Sequence, residues 1–286
     1  SKKVQIALRK AAVAEAVCNT DYMGEISSFG DTVNIIKEPQ IAVADYTRGL
    51  AVTSTNLTDQ ELVLTIDQAK SFSFKIDDLE KRFSHVNFQA IASDNAAYAL
   101  RDAMDSNILA AISAGATATT GMGTTSTPID IGFASGEVDP LNQMALAAKE
   151  LDEANAPEDG RWFVAAPEWY NQLSNSASKL LSVDFNAGQG SIRNGLVASG
   201  LLRGFSMYKS NNLPTNDLSG ATPAGSATAP EALFGHMSST AAASAMNKVE
   251  TVRDTGTFSD IVRGLMVWGR KVLRPEVAGK IIYAID

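Results

Sequence analysis

The alternation of apolar and polar positions changes period several times along the chain. Residues 2–18 place Val4, Leu8, Ala11 and Ala12 at helical spacing in an Ala-rich run, which predicts a short helix with a thin apolar stripe. Such a helix buries too little surface to stand alone and needs a neighbour, either its own body or another subunit. After the turn-rich residues 19–31 the period falls to two. Segments 32–36, 41–46, 50–54, 61–66 and 71–76 are rich in β-branched and aromatic residues and predict strands. In the last, Phe72, Phe74 and Ile76 alternate with Ser71, Ser73 and Lys75, so one face is expected to be buried. Segments 61–66 and 71–76, joined by Asp67-Gln68-Ala69-Lys70, have the form of a β-hairpin. Residues 46–60 are polar and lie between strands that must pair elsewhere, as in an arm projecting from the body. Exposed backbone in such an arm needs a partner surface.

Helical spacing then returns. Residues 77–82 set acids before bases, the order a helix dipole favours. From Ser93, a candidate N-cap, Ala97, Leu100, Met104, Ile108 and Ile112 form one stripe, with Arg101 and Asp105 on the polar face. This predicts one long helix of about 30 Å at 1.5 Å per residue. Residues 113–138 read as a Gly/Ala/Thr/Ser linker, and Asp139-Pro140 open a second helix with Leu141, Met144, Ala148 and Leu151 on its stripe. Segments 161–166, 204–210 and 231–237 predict strands, Pro167 opens a helix, and the Ala-rich 238–246 looks helical. Residues 214–230 have little apolar bulk and are expected to form a mobile loop. Segments 247–254, 264–273 and 279–285 return to β. The pattern is α+β, with an α/β subdomain inserted into a body that holds both ends of the chain.

Composition narrows the function. Of 286 residues 45% are hydrophobic and 20% charged, which is globular. A net charge of -8 excludes a binder that grips nucleic acid by general electrostatics. The single cysteine, Cys18, allows no intrachain disulfide or cysteine-built metal site. No apolar run approaches the roughly 20 residues that span a bilayer, and Arg9 and Lys10 interrupt the apolar stretch near the start, so neither membrane nor secretion is expected.

Catalytic patterns are missing. His85 and His236 lie far apart and neither has an Asp, Glu or Cys at ligand spacing. Gly121-Met122-Gly123-Thr124 and Gly188-Gln189-Gly190-Ser191 lack the endings of phosphate loops. The pairs Asp77-Asp78 and Asp152-Glu153 diverge by about 100° on a helix and read as solvated faces. Trp162, Phe163, Trp169 and Tyr170 read as core packing, not as a base-stacking platform. No enzyme activity and no cofactor are expected.

Several phrases in order resemble the HK97-type major capsid proteins of tailed, double-stranded DNA bacteriophages. They are GEISSFGDTVNI (24–35), LTIDQAKSFSFKIDD (64–78), WFVAAPEWYNQL (162–173), GFSMYKSNNLP (204–214) and FSDIVRGLMVWGRKVLRPEVAGKIIYAI (258–285). The resemblance covers nearly the whole chain. It implies an N-terminal arm (1–31), an E-loop with flanking strands (32–76), a P domain with its spine helix (77–138), an A domain (139–245) and P-domain return strands (246–286). By implication subunits form pentamers and hexamers that close an icosahedral shell around DNA held without sequence-specific binding. Portal, scaffolding and decoration proteins would be partners. Candidate intersubunit contacts are Lys3 and Arg9 in the arm and Asp45, Tyr46, Arg48, Asp59 and Glu61 in the E-loop. No lysine stands between Lys37 and Lys70, so the covalent cross-linking of one branch is not expected. Alternatives are an encapsulin-like compartment shell of the same fold, a cytosolic α/β enzyme and another phage structural protein.

Overall fold

A computed structural model describes residues 9–10, 12–21, 32–37, 41, 43, 45, 48–49, 60–78, 88–175 and 202–285. The expected strand at 50–54, most of the helix at 77–82, His85 and the glycines 188–191 lie outside the described residues. In chain order the elements are α1 (Ala14–Val17), β1 (Thr32–Lys37), β2 (Gln60–Thr65), β3 (Gln68–Asp77), α2 (Phe88–Gly115), β4 (Ile129–Asp130), α3 (Pro140–Glu153), β5 (Arg161–Ala165) and α4 (Pro167–Leu173). They continue as β6 (Ser206–Lys209), β7 (Thr215–Asn216), β8 (Ala229–Pro230), β9 (Ala232–His236), β10 (Thr240–Arg253), β11 (Ser259–Val272), β12 (Ala278–Ile281) and β13 (Tyr283–Ala284).

Two sheets organise the body. One is three-stranded and antiparallel in the order β10-β11-β3, and the other is four-stranded in the order β12-β9-β5-β6. β5 can lie at the centre of the second because it is apolar on both faces. Trp162 and Val164 pack toward Met104, Ile108 and Ile112 of α2, while Phe163 and Ala165 pack with Met144, Trp169 and Phe205 on the other side. The aromatic residues 162, 163 and 169 are buried core, as their sequence context predicts. Phe163, Trp169, Phe205, Phe234 and Tyr283 interlock edge to face or tilted, with centroids 5.0–6.4 Å apart.

Four expectations are corrected. Segments 61–66 and 71–76 do not pair with each other. β2 pairs with β1, setting Leu64 against Val33 and Leu62 against Ile35, and β3 pairs with β11 from Gln68 to Asp77. The supposed hairpin loop is largely strand, because β11 offers β3 a ten-residue register that a short hairpin cannot match. The Ala-rich segment 238–246 is not helical: after a 3-10 turn at Met237–Ser239 it enters β10. Ala241, Ala242 and Ala243 are buried there, where small side chains let β10 sit close under neighbouring elements, and packing overrides helix propensity.

Residues 113–138 are not a free linker, since α2 runs on to Gly115 and Ala118, Met122 and Ile131 are buried. Residues 214–230 likewise carry the β7/β8 pair and the buried Leu218. Of the closing strands, β10 pairs with β11, β11 also pairs with β3, and β12 pairs with β9 beside β5.

Candidate assembly surfaces

Among the described residues no group of His, Cys, Asp and Glu could hold a metal ion, and no helix is long and apolar enough to cross a membrane. His236 is tied down on both nitrogens, Nδ1 to Ser238 Oγ at 2.8 Å and Nε2 to the Asp159 carbonyl at 2.8 Å. The surfaces that remain to be explained are those that leave the body.

The first is the base of the N-terminal segment. α1 is one turn long and its N-cap position is Val13, which has no side-chain acceptor. The cap comes from elsewhere in the chain. Asp105 of α2 accepts the amides of Val13 and Ala14 through Oδ1, each at 2.7 Å, and Asn212 Nδ2 donates to its Oδ2 at 2.9 Å and to Asp102 Oδ1 at 2.6 Å. Asp105 is 2% exposed, so the expected polar-face position opposite Arg101 is corrected: this carboxylate faces the body. The two amides are donors that every helix start leaves orphaned, and a carboxylate there also meets the positive end of the helix. Val13, Val17 and Cys18 complete the docking against Ile108 and Trp268. Burial, with the Asp105 charge behind it, pushes the Cys18 thiol up to about 12. Ahead of α1, Arg9 lies over the Tyr98 ring at 5.4 Å from its centroid and donates to Asn95 Oδ1, and the Lys10 amide donates to Tyr98 Oη at 2.7 Å.

The second surface is the β1–β2 hairpin. Val33, Leu64 and the following Ile66 are buried against Ala241, Ala243 and Val267. The opposite face carries Asn34, Ile36, Glu61 and Val63, with Ile36 69% and Val63 42% exposed. Beyond β1, Ile41 is 74% and Val43 96% exposed. An apolar stripe this bare on a lone chain is a surface for something else.

The third is the β10–β11 turn. Arg253 is paired with both Asp78 and Asp260, and Lys75 meets Asp254 Oδ2 at 2.5 Å. Lys75, the Thr257 hydroxyl and the Gly256 amide hold the Asp254 carboxyl well below the usual carboxylate range. The turn so braced presents Phe258 at 83% exposure.

Of the sequence-predicted contact residues, Arg9, Asp45, Arg48 and Glu61 are exposed, and Lys3, Tyr46 and Asp59 lie outside the described residues. Sequence reasoning missed Asp105 and Asn212. The one available signal was negative: a helix start reading Ala-Ala-Val-Ala-Glu contains no Ser, Thr, Asp or Asn to cap it.

The family model described as phage capsid protein matches residues 60–281. Among solved structures, a chain of Mycobacterium phage Che8 superposes with a TM-score of 0.78 at 27% identity, covering 98% of this chain and 94% of that one. The capsid structure of the Cyanophage P-SCSP1u gives 0.72 at 22% identity, covering 99% and 91%. The asymmetric unit of the bacteriophage PhiM1 mature capsid gives 0.68 at 16%, covering 99% and 90%. No curated protein matches in sequence.

Proposed function

The chain belongs to the phage capsid protein family, and from that premise we propose that it closes its shell as pentamers and hexamers through the β1–β2 hairpin and the segment ahead of α1. It is a structural major capsid protein of the HK97-type fold, and its place is the capsid of the virion. The phage family match sets the encapsulin alternative aside.

In this reading α2 is the spine helix of a P domain built on the β10-β11-β3 sheet, the β12-β9-β5-β6 sheet is the core of an A domain, and the hairpin is the base of the E-loop. The observation that carries the reading is the bare Ile36 and Val63 on a hairpin whose other face is already buried, with Ile41 and Val43 exposed beyond β1. A subunit held by several neighbours through modest contacts gains avidity from effective concentration. The work of the chain is then binding and not catalysis. The net charge of -8 suits a wall that confines DNA without adhering to it. Portal, scaffolding and decoration proteins complete the proposed partner set.

Electron microscopy of the purified chain under assembly conditions tests this. Uniform icosahedral shells are expected; a compact monomer of 30.2 kDa as the sole species would overturn it.

A further inference from the structure

Asp105 is a buried charge without a cation. It is 2% exposed, has no ion pair among the described residues, and is met by N–H donors. Those donors come from two distant segments. Oδ1 takes the amides of Val13 and Ala14, which open α1, and Oδ2 takes Nδ2 of Asn212, in the turn from β6 to β7. Asp102, three residues back on the same face of α2, accepts from that Nδ2 as well, at 2.6 Å. The turn is fixed to the second sheet. The Asn212 amide donates to Ser210 Oγ at 3.1 Å, and the Ser210 amide donates to the carbonyl of Ala165, at the end of β5. Leu213, next to Asn212, packs in the same buried cluster as Val13, Val17 and Cys18.

Hydrogen bonds to a charged acceptor are stronger than neutral ones, and more so away from water. A carboxylate is also planar, so a donor on one oxygen sets the direction of the other. Asn212 holds Oδ2 and thereby keeps Oδ1 in front of both helix amides. Without Asn212, Oδ2 is a buried acceptor with no donor, and the carboxylate gains by turning toward water and away from α1. With α1 lifted, the same carboxylate is free to swing, and the turn loses an anchor.

We propose that Asp105 and Asn212 form a linkage through which docking of residues 12–18 and seating of the 210–213 turn on the second sheet reinforce one another. Asp105 then does more than cap a helix. Displacement at the start of the chain is felt beside the edge strand β6, and a change at that edge is felt at α1. The coupling free energy is the same in both directions. Its route is contiguous, from α1 through Asp105, Asn212 and Ser210 to β5.

The test uses the full chain and two readouts: the rate at which N-ethylmaleimide labels Cys18, and deuterium uptake at residues 210–213 compared with residues 246–253 of β10. Asn212→Ala removes nothing from α1 itself, yet should speed Cys18 labelling about fivefold or more. In an Asp105→Ala background the same substitution should add less than about twofold, because the carboxylate it acts through is gone. In the reverse direction, Val17→Ala should raise uptake at 210–213 and leave 246–253 as in wild type, a contrast that a general loss of stability would not produce. Labelling within about twofold of wild type in Asn212→Ala, an equal acceleration in both backgrounds, or uptake that rises as much at 246–253 as at 210–213 would each overturn the linkage.

Discussion

Replacing Asp105 by Ala removes one acceptor from three donors at once. Asn212 keeps its bond to Asp102, so the loss falls on the amides of Val13 and Ala14. A buried donor left without a partner costs about 1–3 kcal/mol, or about 2–6 for the pair. Water entering the space of the lost carboxylate brings this to about 2–4 kcal/mol, taken from the docking of residues 12–18. A single helical turn has no stability of its own to offset it. Cys18 gives the readout. The thiol is buried, and with its pKa pushed up to about 12 it reacts at pH 8 only when the segment lifts off. At 1.4 kcal/mol per tenfold, labelling should accelerate by about 30- to 1,000-fold in Asp105→Ala. Asp105→Asn should behave similarly, since its amide group turns a donor toward Asn212 or toward the two backbone amides. The wild-type pH dependence follows from the same shift. A raised thiol pKa leaves docking undiminished below the ordinary thiol value of 9.0 and weakens it as pH climbs from there toward about 12. Labelling within threefold of wild type in Asp105→Ala would refute the capping role.

Four further outcomes are expected. Gly279→Ala should lower stability by about 2 kcal/mol or more in a thermal melt, because the new Cβ would stand 2.1 Å from Phe234 Cζ and 2.5 Å from the Ala118 carbonyl oxygen. Arg161→Leu should cost about 2–4 kcal/mol by denaturant titration, as Arg161 is buried and donates to the carbonyls of Ala156 and Pro157 and to Asp152. Asp152→Ala, which removes only the exposed end of that bridge, should cost under about 1 kcal/mol. Denaturing gels of assembled particles should show a monomer band and no ladder, there being no lysine between Lys37 and Lys70.

The sequence was most legible where one periodicity met one partner. The stripe from Leu100 to Ile112 and the alternation in 71–76 both describe faces that the structure buries or half-buries. It was least legible where the outcome depended on residues far along the chain. Whether β3 pairs with β2 or β11 is decided by a strand almost 200 positions away, and Ala241–Ala243 look helical until β11 lies beside them. Asp105 looked solvent-facing because a helical wheel shows its own helix and not the backbone of Val13 and Ala14. The bare outer face of the hairpin was legible only as two separate strands, 32–36 and 61–66, since Ile36 and Val63 are exposed through register, which pattern alone cannot supply.

β9 and β12 are paired in one sheet, and the segments continuing from them, β10 and β11, are paired in the other. The four strands therefore make a single two-ply ribbon that bends once, at 237–239 on one ply and 273–277 on the other. At the bend Leu273 and Arg274 both donate to the carbonyl of Ser239, at 2.7 and 3.1 Å. Between Met246 and Arg253 the plies are laddered together without a break and resist shear. A torque applied at the far tip, near Phe258, is carried along this ladder to the register shift between Ser244 and Met246 and then to the bend. The ribbon is a lever with its fulcrum at Ser239, and a change in the angle between the two sheets works that joint.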